Sequence, residues 1–414
     1  MSTTNPAFLA DFAAMSSHGA TAGGGVDRQA ATPEDHAARA WFSGWLADHG
    51  LAEAVDAAGN QFGLAELVPG APWVLLGSHL DSQPLAGRYD GAYGVLAAAH
   101  AVVRACAEAG SGVLKPVFNL AVVNWFNEEG SRFTPSMMGS GVFTGKLPLG
   151  AALATRDLAG STVAEALGDL PASGAAPTLD SIARYAEIHI EQGRLLEETG
   201  TQVGIVDRTW AAAKYQVVVD GEQSHTGSTR MPDRRDALFG AALVIAAARE
   251  LTEEFELGSL HSSVSQLQVL PNSPVTIARQ VVMNLDLRSP DEAVLARAME
   301  LLDKRIAESE ARSRTEISLS LTHRWGLNPY QPAGVRLGRA AAEALGFSHM
   351  DIMTVAGHDS TNMKDHVPTV MLFVPSVDGI SHNEAEFTRD EDAVRGVELL
   401  TEVARRLVRG DALE

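Results

Sequence analysis

Short, largely apolar runs alternate along this chain with longer stretches in which apolar residues recur every three or four positions. The runs at 73–78, 117–126, 186–190 and 369–374 have the length of buried strands, and 91–109 has the periodicity of a helix. That alternation predicts an α/β sheet with covering helices. Between about 209 and 325 the character changes. A strand-like 215–220 is followed by a helix at 235–252, strands at 264–270 and 280–286, a helix at 291–308 and a strand at 316–322. The β-α-β-β-α-β order predicts a separate small sandwich inserted into the first domain. The chain therefore reads as a catalytic domain in two parts, 1–208 and 326–414, around a lid or dimerisation domain at 209–325.

With 414 residues, 45% of them hydrophobic, the chain is long enough for two domains. A formal net charge of -20 and no cluster of Lys or Arg argue against nucleic-acid and anionic-lipid partners and favour a small-molecule substrate. The single cysteine, Cys106, lies in an apolar helical stretch and reads as a buried helix residue, which leaves neither an intrachain disulfide nor a cysteine zinc site. The first 14 residues lack a basic segment followed by an apolar core, and no apolar run reaches the roughly 20 residues that span a bilayer. The expected location is the cytoplasm. The Gly/Ala-rich tract at 19–25 is the one biased segment.

Chemistry gathers where the predicted strands end, which is where open α/β sheets bind ligands. The first run leads into Gly-Ser-His-Leu-Asp at 77–81, with Tyr-Asp-Gly at 89–91 just ahead of the helix. His79 and Asp81 are two apart and share a side if extended, so the Asp81 carboxylate is expected to accept from the His79 ring N–H and fix its tautomer. The second run enters Asn-Glu-Glu-Gly at 127–130; two adjacent acids point different ways from such a turn, one towards a metal and one towards an attacking water. The third run carries His189, and the fourth is followed by a polar loop with His382. Any of these alone is ordinary. Together His79, Asp90, Glu129, His189 and His382 supply donors for two divalent ions, with Asp90 bridging.

These segments resemble the dinuclear metallo-amidohydrolases of the aminoacylase and carboxypeptidase G superfamily, and most closely its branch of N-carbamoyl-L-amino-acid hydrolases, β-ureidopropionases and allantoate or ureidoglycolate amidohydrolases. The match runs through Gly-Gly-Gly-Val-Asp-Arg at 23–28, Gly-Ser-His-Leu-Asp-Ser at 77–82, Asp-Gly at 90–91, Asn-Glu-Glu-Gly-Ser-Arg-Phe at 127–133, His-Ile-Glu-Gln-Gly at 189–193, His-Thr-Gly at 225–227, Leu-Asp-Leu-Arg at 285–288, Gly-His-Asp-Ser at 357–360 and Gly-Ile-Ser-His at 379–382. Histidine at position 189 marks the carbamoylase-like branch. The resemblance implies a mixed-sheet, metallopeptidase-like catalytic domain with helices on both faces and an inserted ferredoxin-like α/β sandwich. It implies two ions (zinc, manganese, cobalt or nickel), one on His79, Asp90 and His189 and the other on Asp90, Glu129 and His382, with Glu128 as general base. His225 would stabilise the oxyanion from the lid of a neighbouring subunit, which implies a homodimer. Arg288 would clamp the substrate carboxylate, and Gln192 and the backbone at Gly357 would complete the pocket.

Three positions depart from the family pattern. Val275 stands where members place a substrate-contacting asparagine, so either Asn272 substitutes from a shifted loop or the substrate lacks the group that asparagine reads. Arg194 and Arg230 stand where prolines are common; they are either surface changes or added positive charge that favours a more acidic substrate. The rival readings are an aminoacylase or dipeptidase on the same metals, an inactive binding protein of this fold, and a two-metal phosphoesterase. Glu128 and every ligand are present, which counts against the inactive form, and Arg288 is the sole additional phosphate-binding candidate.

Overall fold

The computed structural model describes residues 5–168 and 174–411. The chain divides into two compact units, Arg208–Pro329 and the remainder on either side of it. The larger unit is built on a mixed sheet in the spatial order Ala52–Val55, Gln61–Ala65, Asn119–Trp125, Trp73–His79, Ile182–Ile190, Thr369–Val374, Val203–Thr209; His349–Thr354 also pairs with the last of these. The four central strands, Asn119–Trp125 through Thr369–Val374, run parallel, and their neighbours at both sides run antiparallel.

Both faces of the central strands are covered, which is why these segments read as largely apolar runs. Val74, Leu76, Leu120 and Val122 pack into one core with the helices Ala92–Gly110 and Asp390–Val408. Leu75, Ala121, Val123 and Trp125 turn to the opposite face, where they meet Phe62, Tyr185, Met363 and Phe143; the last two belong to the short helices Asp359–Met363 and Met138–Phe143. Cys106 is only partly buried against the first core, and burial pushes its thiol up to about 11.

The strand boundaries shift for identifiable reasons. The predicted 117–126 begins at Asn119, because the amides of Val117 and Phe118 donate to the Val408 carbonyl at the end of the last helix. The predicted 186–190 begins at Ile182, its first half disguised by Arg184, whose guanidinium donates to the Leu407 and Asp411 carbonyls.

The smaller unit is an antiparallel sheet in the order Glu316–Trp325, Ala211–Asp220, Gln280–Ser289, His261–Leu270, with the helices Ala237–Leu251 and Glu292–Ser313 between its strands in chain order. Val217, Val219, Val281, Met283, Leu285 and Leu287 pack with the helices in one core. Each helix opens on an aspartate cap: Asp236 accepts from the amides of Leu238 and Phe239, and Asp291 from those of Ala293 and Val294.

Candidate metal centre

Because the central strands are parallel, their carboxyl ends share one edge of the sheet, and each delivers part of the site. His79 is the last residue of its strand and is buried. Its Nδ1 donates to the backbone carbonyl of Asp81 at 2.9 Å, which fixes the tautomer and turns Nε2 towards Asp90 (3.6 Å) and Glu128 (3.5 Å). His189 is held the same way, with Nδ1 on the Ile190 carbonyl at 2.9 Å and Nε2 at 3.0 Å from Asp90 Oδ1. Asp90 sits just ahead of the helix Ala92–Gly110. Its neighbour Gly91 has a φ of 63°, and a Cβ there would lie 2.2 Å from the His79 ring, so only glycine lets aspartate and imidazole meet.

The turn after Asn119–Trp125 works through Asn127, whose φ of 50° is tolerated by asparagine and whose side chain donates to the carbonyls of Phe133 and Pro135. Glu128 and Glu129 then separate. Glu129 Oε2 approaches His382 Nε2 at 3.4 Å and accepts from the Gln83 side chain at 3.0 Å. His382 Nε2 is also 3.3 Å from Asp90 Oδ2.

The expected role of the Asp81 carboxylate is corrected here. It stands 3.8 Å from the His79 ring, too far for a hydrogen bond, and the backbone carbonyl takes the ring proton instead. The carboxylate is occupied elsewhere: Oδ1 accepts from the Glu128 amide at 3.1 Å and Oδ2 from the Glu129 amide at 3.2 Å. Asp81 thus orients the two acids with its carboxylate and the histidine with its backbone carbonyl.

Two ligand groups result, His79 with Asp90 and His189, and Asp90 with Glu129 and His382; within each, one ligand atom per residue lies within 4.8 Å of the others. The donor set fits divalent cations: imidazole nitrogens aimed by hydrogen bonds at Nδ1, carboxylates beside them, and Asp90 presenting one oxygen to each group. The electrostatics point the same way. Burial pushes Glu128 well above the usual carboxylate range, with Asp359, Glu129, Asp81 and Asp90 adding to it, and burial together with Asp90 brings Glu129 to about 7. Burial lowers His189 and His382, but Asp90 together with the Ile190 carbonyl and Glu187 at His189, and with Glu129 and Glu386 at His382, outweighs it and raises both to about 9, whereas burial dominates at His79 and takes it to about 4. Crowded acids of this kind are relieved by bound positive charge.

Gln192 does not stand apart from the ligands: its amide nitrogen donates to Asp90 Oδ2 at 2.6 Å and to Ser381 Oγ at 3.2 Å. Gly357 lies beyond the strand His349–Thr354, and a Cβ there would touch the Met137 side chain. Three of the expected residues belong to the smaller unit. His225 is exposed and pairs in register with Thr276, and its Nδ1 accepts from the amides of Gly227 and Ser228 at 3.0 and 3.1 Å. Asn272 is exposed with a φ of 53°, and Val275 is exposed in the same loop. Arg288 donates from Nε and Nη2 to Asp286 Oδ2 at 3.0 and 2.7 Å. The two departures read as added charge are paired, Arg194 with Asp378 at 3.0 Å and Arg230 with Asp233 at 2.7 Å, which favours their reading as surface changes.

Sequence reasoning did not reach several buried partners. Glu187 lies beneath the site and accepts from Ser78 Oγ, Tyr185 Oη and the Ser360 amide. Its signal was a lone acid inside an apolar strand. Gln83, Ser381 and Glu386 act largely on backbone or on other ligands, and no spacing rule announces them.

A family description reading "peptidase family M20/M25/M40" matches residues 75–406. The chain belongs to that family. M20 enzymes are metal-dependent hydrolases, and this chain is an amidohydrolase. It is 54% identical over 408 residues to a protein of Mycolicibacterium smegmatis described as a hydrolase, covering 97% of this chain and 93% of that one. It is 34% identical over 388 residues to the N-carbamoyl-L-amino-acid amidohydrolase of Rhizobium meliloti, covering 93% and 92%. Among solved structures, an amidase of the hydantoinase/carbamoylase family from Burkholderia vietnamiensis superposes with a TM-score of 0.91 at 35% identity, covering 98% of this M20 chain and 97% of the other. Among the described residues, no helix is long and apolar enough to cross a membrane.

Proposed function

We propose that the chain hydrolyses the linear C–N bond of an N-carbamoyl amino acid or a close ureido analogue, releasing the amino acid, CO2 and ammonia. The observation that carries this reading is the pair of ligand groups sharing Asp90, with the buried Glu128 beside them and outside both. The relatives named for carbamoyl substrates support the ureido class. His79, Asp90 and His189 would hold one ion and Asp90, Glu129 and His382 the other, and these donors suit zinc, manganese, cobalt or nickel. When bound, such ions supply Lewis-acid polarisation of the scissile carbonyl and draw the pKa of water towards neutrality. Glu128 takes a proton from the attacking water and hands it to the leaving nitrogen. His225 donates to the developing oxyanion, Arg288 binds the substrate carboxylate, and Gln192, Asn272 and the backbone at Gly357 complete the pocket. The smaller unit would serve as lid and homodimer contact in a cytoplasmic enzyme.

The deciding experiment is a product screen of zinc- or manganese-loaded protein against N-carbamoyl, N-acyl, N-formyl and ureido acids. Ammonia release from N-carbamoyl amino acids is the expected result. Acetate release from N-acetyl amino acids, with no ammonia from any carbamoyl or ureido acid, would replace this reading by the aminoacylase-like one.

For Arg288→Ala the expected change is a rise in KM of about 10–100-fold with a smaller change in kcat, the loss of a charge-assisted hydrogen bond worth about 1.5–3 kcal/mol. Steady-state kinetics check it, and an unchanged KM would remove Arg288 from the substrate. The pairing with Asp286 orients the guanidinium, so a lysine in its place should not restore the wild-type value.

A further inference from the structure

Three histidines face Asp90, but they are not held alike. His79 and His189 are each aimed by a carbonyl at Nδ1. His382 has no such partner among the described residues, its side chain is 48% exposed, and it sits at a φ of 53° in a loop. Whatever fixes His382 must therefore act through that loop.

Glu386, four residues on and 5% exposed, is placed to do so. Its Oε1 accepts from the backbone amides of Tyr89 and Asp90 at 2.9 and 3.0 Å. Its Oε2 lies 2.9 Å from Ser381 Oγ, which is also 3.0 Å from Asp90 Oδ2. Ser381 has one hydroxyl proton to give, so it stands between the Glu386 and Asp90 carboxylates and donates to one of them at a time, while Glu386 also holds the backbone of Asp90. Gln192 adds its donation to the same Asp90 oxygen. The approach is possible because position 87 is glycine: a Cβ there would lie 2.1 Å from the Glu386 carboxyl. The Gly/Ala-rich tract near the N-terminus fits the same loop. A Cβ at Gly23 would lie 2.4 Å from the Glu384 carboxyl and one at Gly25 would lie 2.9 Å from Glu384 Cα, while Thr21 Oγ1 donates to Glu384. The glycines let the segment pass under the loop that carries His382.

We propose that Glu386 is a positioning residue for the metal centre, tying the His382 loop to the bridging Asp90 through Ser381 and the amides of Tyr89 and Asp90. The inference rests on the two-metal reading above. Hydrogen-bonding partners behind metal ligands typically contribute about 10–100-fold in metal affinity. Glu386→Ala should therefore weaken Co(II) binding by about 10–100-fold for at least one of two ions and alter the Co(II) absorption spectrum. Ser381→Ala, which keeps the two amide bonds, should cost on the order of 10-fold. Glu386→Gln should restore binding to within a few-fold of wild type, because its carbonyl still accepts from both amides and its NH2 can donate to Ser381.

The measurement is titration of the full-length apo protein with Co(II) against a competing chelator, with circular dichroism to verify folding. Wild-type affinities and an unchanged spectrum in Ser381→Ala and in a folded Glu386→Ala would overturn the proposal. If Glu386→Ala does not fold, the serine variant decides alone. A wild-type chain that takes up no Co(II) would instead remove the two-metal reading and this inference with it.

Discussion

Glu128→Gln is expected to bind its ions as the unaltered chain does and to lose about 10²–10⁴ in kcat, which is about 2.7–5.4 kcal/mol of transition-state stabilisation. The amide is isosteric with the acid and belongs to neither ligand group, so metal content should stand while proton transfer stops. The neighbourhood gives the loss its specificity. Glu128 is buried, its amide is pinned by Asp81, and its Oε2 lies 3.5 Å from His79, so a substituted side chain has little freedom to admit a substitute base. Metal analysis alongside single-turnover kinetics checks the result. Near-normal turnover with two ions bound would take the general-base role away from Glu128.

His225→Ala should lower kcat by about 10²–10³ and leave metal content unchanged. The local structure supplies the reason that a histidine suits this position. Two backbone amides, those of Gly227 and Ser228, donate to Nδ1, which must then be the acceptor nitrogen. In the neutral ring the remaining proton lies on Nε2, so the exposed edge of the imidazole presents an N–H rather than a lone pair. That is the polarity a developing oxyanion needs. Asparagine at 225, which also offers an N–H, should recover part of the rate, and a KM effect with kcat intact would mean that the residue binds substrate without acting on the transition state.

How far the sequence reveals this molecule depends on what each residue touches. The four parallel strands were legible because burial on both faces writes itself as an apolar run, and Thr369–Val374 appears with its observed limits. Strands such as Gln61–Ala65 and Val203–Thr209 were not, being short or mixed in polarity. The side chains that gather into the two candidate ligand groups were legible because histidine and carboxylate recur at successive strand ends. Asp81 shows the limit. Its spacing from His79 correctly suggested proximity, yet a carbonyl and a carboxylate of one residue compete for the same ring proton, and spacing cannot say which wins. Glu386 lies beyond that limit, since its partners at positions 89 and 90 are backbone amides, which every residue but proline possesses.

The sheet order carries a consequence for how the chain is made. Thr369–Val374 lies between Ile182–Ile190 and Val203–Thr209, so a strand made late among those described fills an interior slot flanked by two far earlier ones. Until it arrives, an emerging chain presents two apolar strand borders with unsatisfied backbone groups, the kind of surface that invites pairing with other chains. The residue that completes the second ligand group lies just after that closing strand. That group of side chains is therefore brought together late, once almost all of the described chain has been made.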